Sequence, residues 1–352
     1  MINNHPQFDR TPGSGQRPAL LITIDTEGDD LWSNPTTITT RNAEYLPRFQ
    51  TLCERYGFRP TWLTNWEMVE CPVYQQFASD LLVRNTGEVG MHLHAWNNPP
   101  LTGFDDRHAQ RQPCLIEYPA NDMRDKVARM TDRLEEVFQV KMRSHRAGRW
   151  GFDEAYAQLL VDFGYQVDCS VTPGVRWNYA YVGKYQETGV DYREFPSHAY
   201  WIDLEDIQRP GNSPLLELPM TIVPGDQTFL TRCMHQLGRS SRLLNRVANR
   251  IAPQDVWFRP FRNNRHLLPK LVEAGPVDGC DYLEMAFHSS ELMPGGSPSF
   301  PNERSIEQLY ERFEALFAAA QGRYVGLTLT EYHDRMVSDR LAMSPSTTAQ
   351  EA

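Results

Sequence analysis

The sequence predicts an α/β fold of parallel strands, either closed as a barrel or open as a doubly wound sheet. Three observations predict it. Short apolar runs alternate repeatedly with amphipathic helical stretches, the pattern of strands joined by helical crossovers. The run Ala19-Leu20-Leu21-Ile22-Thr23-Ile24 is continuous, as in strands covered on both faces. Asp25 and Glu27, His92 and His94, Arg146 and His288 all follow such runs. In either architecture, residues at the C-terminal ends of strands form the working site.

Taken in order, residues 1 to 18 are polar and rich in Pro and Gly, which predicts a flexible tail without the apolar core of a secretory leader. The first strand opens into the acidic loop Asp25-Thr26-Glu27-Gly28-Asp29-Asp30. Arg41 to Tyr56 repeats Leu46, Phe49, Leu52, Cys53 and Tyr56 at helical spacing, and Gly57 closes it as a C-cap. A strand follows at Arg59 to Leu63, then a helix at Val73 to Val83, then the strand carrying His92 and His94. Asn97-Asn98-Pro99-Pro100 breaks that strand, and the polar loop running to about Pro119 is long enough to be a substrate loop or lid. Asp122 to Phe138 is a patterned helix, with Asn121 or Asp122 placed to cap it. The next strand ends in Ser144-His145-Arg146-Ala147-Gly148-Arg149-Trp150-Gly151.

Asp153 to Phe163 reads as helix and Tyr165 to Val171 as strand, whereas the aromatic-rich stretch 175 to 214 gives no regular pattern. Leu215 to Val223 returns to strand, Thr228 to Ile251 to a basic helix, and Val256 to Phe261 to a short strand. A helix over Arg265 to Ala274 precedes the strand Tyr282 to Phe287, which delivers His288-Ser289-Ser290-Glu291. Ile306 to Ala320 is helical, and Tyr324 to Leu329 is the last strand. From about residue 339 the Ser, Thr, Ala and Gln content predicts a disordered tail. The expected organisation is one domain over 19–338 between two tails.

With 352 residues, 40% hydrophobic and 23% charged, the composition is that of a globular protein. No apolar run approaches the roughly 18 residues of a membrane span, and a cytoplasmic location is expected. The net charge of -10 argues against a nucleic-acid partner and suits a neutral or polyhydroxyl substrate. Six scattered cysteines without a Cys-x-x-Cys pair read as reduced thiols.

The stretch Gly90-Met91-His92-Leu93-His94-Ala95-Trp96 carries the chemistry. On a strand, the period of two puts both imidazoles on one face and Met91, Leu93 and Ala95 on the other. Two imidazoles on one face make half of a metal site. Asp25 and Glu27 have the same spacing, so one carboxylate can bind a cation while its neighbour accepts a proton. One of these carboxylates with His92 and His94 then completes a three-ligand set with an open position, at which a divalent ion, zinc first, acidifies a water and polarises a carbonyl oxygen. Amide hydrolysis also requires a general acid opposite the water, for which His288 is the candidate. An arginine must hold the base ionised, and Arg146 can do so with its guanidinium fork. Trp96 and Trp150 are candidates to stack on a sugar ring. Arg259 and Arg262 could meet an anionic group, Asp168 reads as fixing a turn, and Glu217 as a hydrogen-bonded strand residue.

Thr23-Ile24-Asp25-Thr26-Glu27, then Glu88 to Trp96, then Arg146-Ala147-Gly148-Arg149-Trp150-Gly151, then Phe287-His288-Ser289-Ser290 resemble, in order, the motif series of the polysaccharide deacetylases. This is the NodB-homology group, carbohydrate esterase family four, and the similarity spans roughly Ala19 to Tyr332. The resemblance implies a distorted (β/α) barrel, a zinc-type metal and hydrolytic removal of acetyl from an N-acetylated sugar or glycan precursor. It also implies Asp25 as base, Arg146 as its tether and His288 as acid. The chain departs from the family at three places. Thr26 follows Asp25 where the family has a second aspartate, which makes Glu27 the expected ligand. The family's histidines are four apart, whereas Trp96 lies four beyond His92 and Asn98 four beyond His94. His92 with His94 is the pair that strand geometry favours, and His94 with Asn98 is the alternative. Gly148 stands where the family has proline. Two other functions fit the same residues: a hydrolase of a non-sugar amide, and a catalytically silent carbohydrate-binding protein.

Overall fold

The computed structural model describes residues 16–33, 35–101, 114–177, 190–225, 255–260, 267–276 and 279–343. Its centre is strand β1 (Ala19–Thr26), buried along its whole length as the continuous apolar run predicts. It pairs in parallel with β2 (Thr61–Thr64), β11 (Tyr282–His288) and, near its start, β12 (Val325–Leu327). From β2 the sheet continues in parallel through β3 (Glu88–Leu93), β4 (Ser144–Ala147), β5 (Val167–Asp168) and β8 (Leu216–Glu217). Two antiparallel strands, β6 (Tyr200–Asp203) and β7 (Asp206–Pro210), finish that edge.

Among the described residues the sheet curls but does not close by strand pairing. Between β8 and β11 the gap is bridged by single hydrogen bonds. The Glu284 N–H donates to Thr221 Oγ1 at 2.8 Å, and the Tyr282 hydroxyl donates to the Pro219 carbonyl at 2.8 Å. The result is a distorted (β/α) barrel with helices packed outside.

Alternation sorts the side chains into two faces. Ile22, Ile24, Met91 and Leu93 join the larger apolar cluster with Phe49 of α1 (Leu46–Tyr56), Tyr74 of α3 (Pro72–Val83) and Met130 of α4 (Ala120–Phe138). Ala19 and Leu21 turn the other way, into a smaller cluster with Val167, Leu216 and Tyr332. Above that plug, on the same side of β1, come Thr23 and then Asp25. The barrel axis therefore runs from an apolar floor to a polar, buried top.

Most expected elements are present with shifted ends. The helix expected from Asp122 starts at Ala120 with Pro119 at its N-cap, and no side chain caps it. The strand expected over 165 to 171 shortens to β5 because the Ser170 N–H bonds to Asp168 Oδ2 at 2.8 Å instead of to a ladder partner. The strand expected over 215 to 223 splits at Pro219, which lacks an N–H for the ladder. Its second part, β9 (Ile222–Pro224), pairs antiparallel with β10 (Asp255–Trp257) in a separate ribbon. The stretch without a readable pattern contains the β6–β7 edge. Asp153 caps α5 (Glu154–Asp162), accepting from the Tyr156 N–H at 2.9 Å. The remaining helices are α2 (Trp66–Val69), α6 (Leu268–Ala274), α7 (Glu303–Ala320) and α8 (Leu329–Met343). Helix α8 runs past residue 339, where the sequence predicts the tail to begin. The expected basic helix over 228 to 251, Arg262 and most of both tails lie outside the described residues.

Among the described residues no helix is long and apolar enough to cross a membrane. The five described cysteines are free thiols.

Candidate metal and catalytic site

The C-terminal ends of β1, β3, β4 and β11 meet at the polar top of the barrel. Glu27, one residue past β1, and His92 and His94, at and just beyond the end of β3, present ligand atoms that all lie within 4.8 Å of one another. Glu27 Oε2 is 3.7 Å from His92 Nε2 and 3.4 Å from His94 Nε2. Atoms bound tetrahedrally to zinc at about 2.0–2.1 Å lie about 3.3–3.4 Å apart, so this spacing fits one shared ion with little movement. All three residues are buried.

The tautomers suit that task. His92 Nδ1 lies 3.0 Å from the Arg146 carbonyl, which can only accept, so the ring proton sits there and the Nε2 lone pair faces Glu27. Burial, together with the Arg149 charge, holds His94 well below the ordinary imidazole pKa and leaves it neutral. His94 Nδ1 has no hydrogen-bond partner among the described residues. Burial lowers His92 as well, but the Asp25 and Glu27 carboxylates outweigh it and raise that ring. A proton and a cation therefore compete for the same nitrogen.

The departure in histidine spacing has a steric counterpart. A Cβ at Gly148 would lie 2.4 Å from His94 Cδ2 and 2.4 Å from the Leu93 carbonyl oxygen. The His94 ring occupies the space that any side chain at 148 would need, so glycine in the arginine motif and histidine at 94 go together. The alternative ligand Asn98 donates its amide to the Lys126 and Pro99 carbonyls, both at 2.9 Å. It fixes the loop instead of facing Glu27.

Beside the triad, Arg146 Nη1 donates to Asp25 Oδ1 at 2.6 Å, and Nη2 donates to Thr23 Oγ1 at 2.7 Å and to Glu284. Nε donates to the Cys169 carbonyl at 3.1 Å. Burial pushes the Asp25 carboxyl up, yet Arg146, with His92 and His288, prevails and holds it well below the usual range. The second carboxyl, Glu284, is pushed up to about 7 by burial despite Arg146. The two acids thus separate, with Asp25 ionised and Glu284 the readier of the two to hold a proton.

Across from Asp25 stands His288. Its Nε2 lies 3.8 Å from Asp25 Oδ2 and 3.5 Å from Glu27 Oε1. Arg259 Nη2 is 2.5 Å from Nδ1 and also donates to Glu291 Oε2 at 2.9 Å. A guanidinium only donates, so Nδ1 accepts and the ring proton is on Nε2, facing the carboxylates. Glu291 Oε2 is 3.5 Å from the same Nδ1 and accepts from the His288 backbone N–H at 2.9 Å. The His288 side chain keeps 17% exposure against 4% for Asp25 and Glu27, and Trp32, 42% exposed, meets its ring edge-on at 4.8 Å. The site therefore opens on the His288 side.

Trp96 lies against His94 with ring centroids 4.1 Å apart, and Trp150 sits 5.0 Å below the Arg146 guanidinium. Both are half-buried beside these two side chains. Arg149 and Trp150 both have positive φ, 59° and 60°, an unfavourable conformation for two adjacent non-glycine residues. Asp168 fixes a turn, as expected, and also accepts from His145 Nδ1 at 2.6 Å on the sheet's outer side. Glu217 is buried and accepts from the Val171 N–H at 2.9 Å.

Sequence reasoning missed Glu284, Glu291 and Glu67 and gave Arg259 a different partner. A signal exists for Glu284, a lone carboxylate within an otherwise apolar strand. Arg259, a candidate for an anion site by sequence, instead spans His288 and Glu291.

No family model matches the sequence, and no curated protein matches it. Solved structures do. A candidate glycoside hydrolase/deacetylase from Parabacteroides distasonis superposes with a TM-score of 0.57 at 9% identity, over 92% of this chain and 72% of that one. The chain has the deacetylase-barrel fold. The 4-α-glucanotransferase from Thermococcus litoralis reaches a TM-score of 0.52 at 12% identity, over 91% of this chain and 41% of that one. A protein described as a candidate polysaccharide deacetylase from Mycobacterium smegmatis aligns over 97% of this chain and 98% of its own, at 13% identity and a TM-score of 0.47. At such identities the likeness is one of fold, and the chemistry of this deacetylase-fold protein has to be argued from its own side chains.

Proposed function

We propose that the protein is a metal-dependent hydrolase that removes acetyl from the nitrogen of an N-acetylated sugar or glycan precursor. One observation carries this reading: an ionised carboxylate tethered by a buried arginine and an imidazole with an inward N–H stand on either side of three converging ligand atoms. Glu27, His92 and His94 would hold the ion, which when bound supplies Lewis acidity to a carbonyl oxygen and to water.

The chain's own groups account for the protons. Asp25 takes a proton from the attacking water, and Arg146 keeps it ionised and aimed until then. The water oxygen bonds to the acetyl carbon, the carbon–nitrogen bond breaks, and the amine needs a proton as it leaves. His288 supplies it from Nε2. To do so the ring begins doubly protonated, with Nδ1–H turned to Glu291, 3.5 Å away, in place of Arg259. Trp96 beside His94 and Trp150 beside Arg146 would stack on the sugar. A silent sugar-binding protein has no use for a carboxylate held ionised beside three convergent ligands.

Acetate release from N-acetylated mono-, oligo- and nucleotide-linked sugars tests the proposal. Release from at least one, abolished by chelation and restored by a divalent ion, is expected. Metal-loaded protein that releases none across the panel overturns it.

A further inference from the structure

The two halves of the ligand set come from loops far apart in the chain, after β1 and after β3, and a third element joins them. Glu67 lies on the short helix α2, which follows β2, the strand between them in the sheet. Its Oε1 accepts from the Gly28 N–H at 2.7 Å, and its Oε2 accepts from Asn97 Nδ2 at 2.6 Å. Gly28 is the residue after Glu27, and Asn97 is three beyond His94. One carboxyl group thus ties both ligand-bearing loops. The approach is possible because position 28 is glycine: a Cβ there would meet Ile38 Cγ2 at 2.2 Å and Glu67 Oε1 at 3.2 Å.

The rest of the Glu27 backbone is held as closely. Ser289 Oγ accepts from the Glu27 N–H at 3.1 Å, and Asn42 Nδ2 donates to the Glu27 carbonyl at 2.9 Å. With Glu67 on the next N–H, both peptide planes around Glu27 are pinned. On the other loop, Asn97 is the side chain through which α2 reaches the turn that follows His94.

We propose that Glu67 is a positioning residue that sets the distance between Glu27 and the His92/His94 pair, and so the affinity and geometry of the ion. This rests on the metal site proposed above. Removing such outer partners lowers metal affinity by about 10–100-fold in comparable sites. The substitution Glu67→Gln separates tethering from charge. Asn97 Oδ1 is buried without a partner, so a flipped Asn97 can accept from the amide that Glu67→Gln introduces, while the Gly28 N–H still donates to the carbonyl oxygen of the new side chain.

The test measures zinc dissociation constants by chelator competition, cobalt(II) absorption spectra, and metal-free melting temperatures for the full chain and for Glu67→Ala, Glu67→Gln and Asn97→Ala. Glu67→Ala is expected to weaken zinc binding about 10–100-fold with an altered cobalt spectrum. Glu67→Gln should stay within about threefold of the parent, and Asn97→Ala should fall between them, with metal-free melting close to the parent in each. Zinc affinity unchanged in a folded Glu67→Ala overturns the proposal, and so does Glu67→Gln binding as poorly as Glu67→Ala. If Glu67→Ala does not fold, Asn97→Ala decides, because unchanged affinity there removes the tether. A parent protein that binds no divalent ion overturns the metal site itself, an outcome distinct from a parent that binds and variants that match it.

Discussion

Arg146 has no exposed surface, and a guanidinium so placed is tolerable only where charge and hydrogen bonds replace its water. Asp25, Glu284, Thr23 and the Cys169 carbonyl do so, and the arrangement leaves Asp25 ionised while the ion site is next door. Asp25→Asn removes the proposed proton acceptor but none of the three candidate ligands. Turnover should fall by about 10²–10⁴-fold while bound metal stays near the parent level, measured by acetate release alongside elemental analysis. Gly148→Ala acts through crowding. Its methyl must displace His94 or the Leu93 carbonyl, which should cost about 1–3 kcal/mol in denaturant melts and weaken metal binding. At this scale the convergence of Glu27 with His92 and His94 was legible because a spacing of two fixes side-chain direction on a strand. Glu284, Glu291 and Glu67 were not, because their partners are set by which strands become neighbours, and nothing local in the chain carries that.

Among the elements, β1, β3, α1, α4 and α7 were readable because long runs with one period leave a single way to bury their apolar face. The short strands were not. β5 gives its ladder to Asp168, β8 stops at Pro219, and the β6–β7 edge lies in an aromatic stretch with no period. Between β5 and β8, Asp168 and Glu217 sit in register, both fully buried, and burial with the Asp168 charge raises the Glu217 carboxyl well above its ordinary value. The folded state therefore holds a proton on Glu217 that the unfolded chain releases above about pH 4.5. Stability from this group is present below that pH and declines as pH rises through the raised folded value. Glu217→Gln mimics the protonated form. Melting temperatures from about pH 4 to 8 should show the variant gaining on the parent as pH increases, and a pH-independent difference would show that Glu217 is ionised when folded.

For the molecule as a whole, a barrel left open between β8 and β11 places His288 on one lip and Arg146 on the far wall. An ion at the top would bind groups from β1 and β3 together and favour the folded state. At about 100 times its dissociation constant such an ion adds about 2.7 kcal/mol, a shift of a few degrees in melting temperature. The parent should show that shift on adding zinc, and His92→Ala should not. The barrel class was legible from alternation and strand-end chemistry, whereas the gap between β8 and β11 is spanned by side-chain bonds of Thr221 and Tyr282 that no pattern announces. The central claim is that Glu27, His92 and His94 grip one cation, and equilibrium dialysis against zinc with elemental analysis tests it most directly. About one ion per chain in the parent and close to none in His92→Ala is the predicted result. A parent that retains no ion, or a His92→Ala that retains as much as the parent, would contradict it.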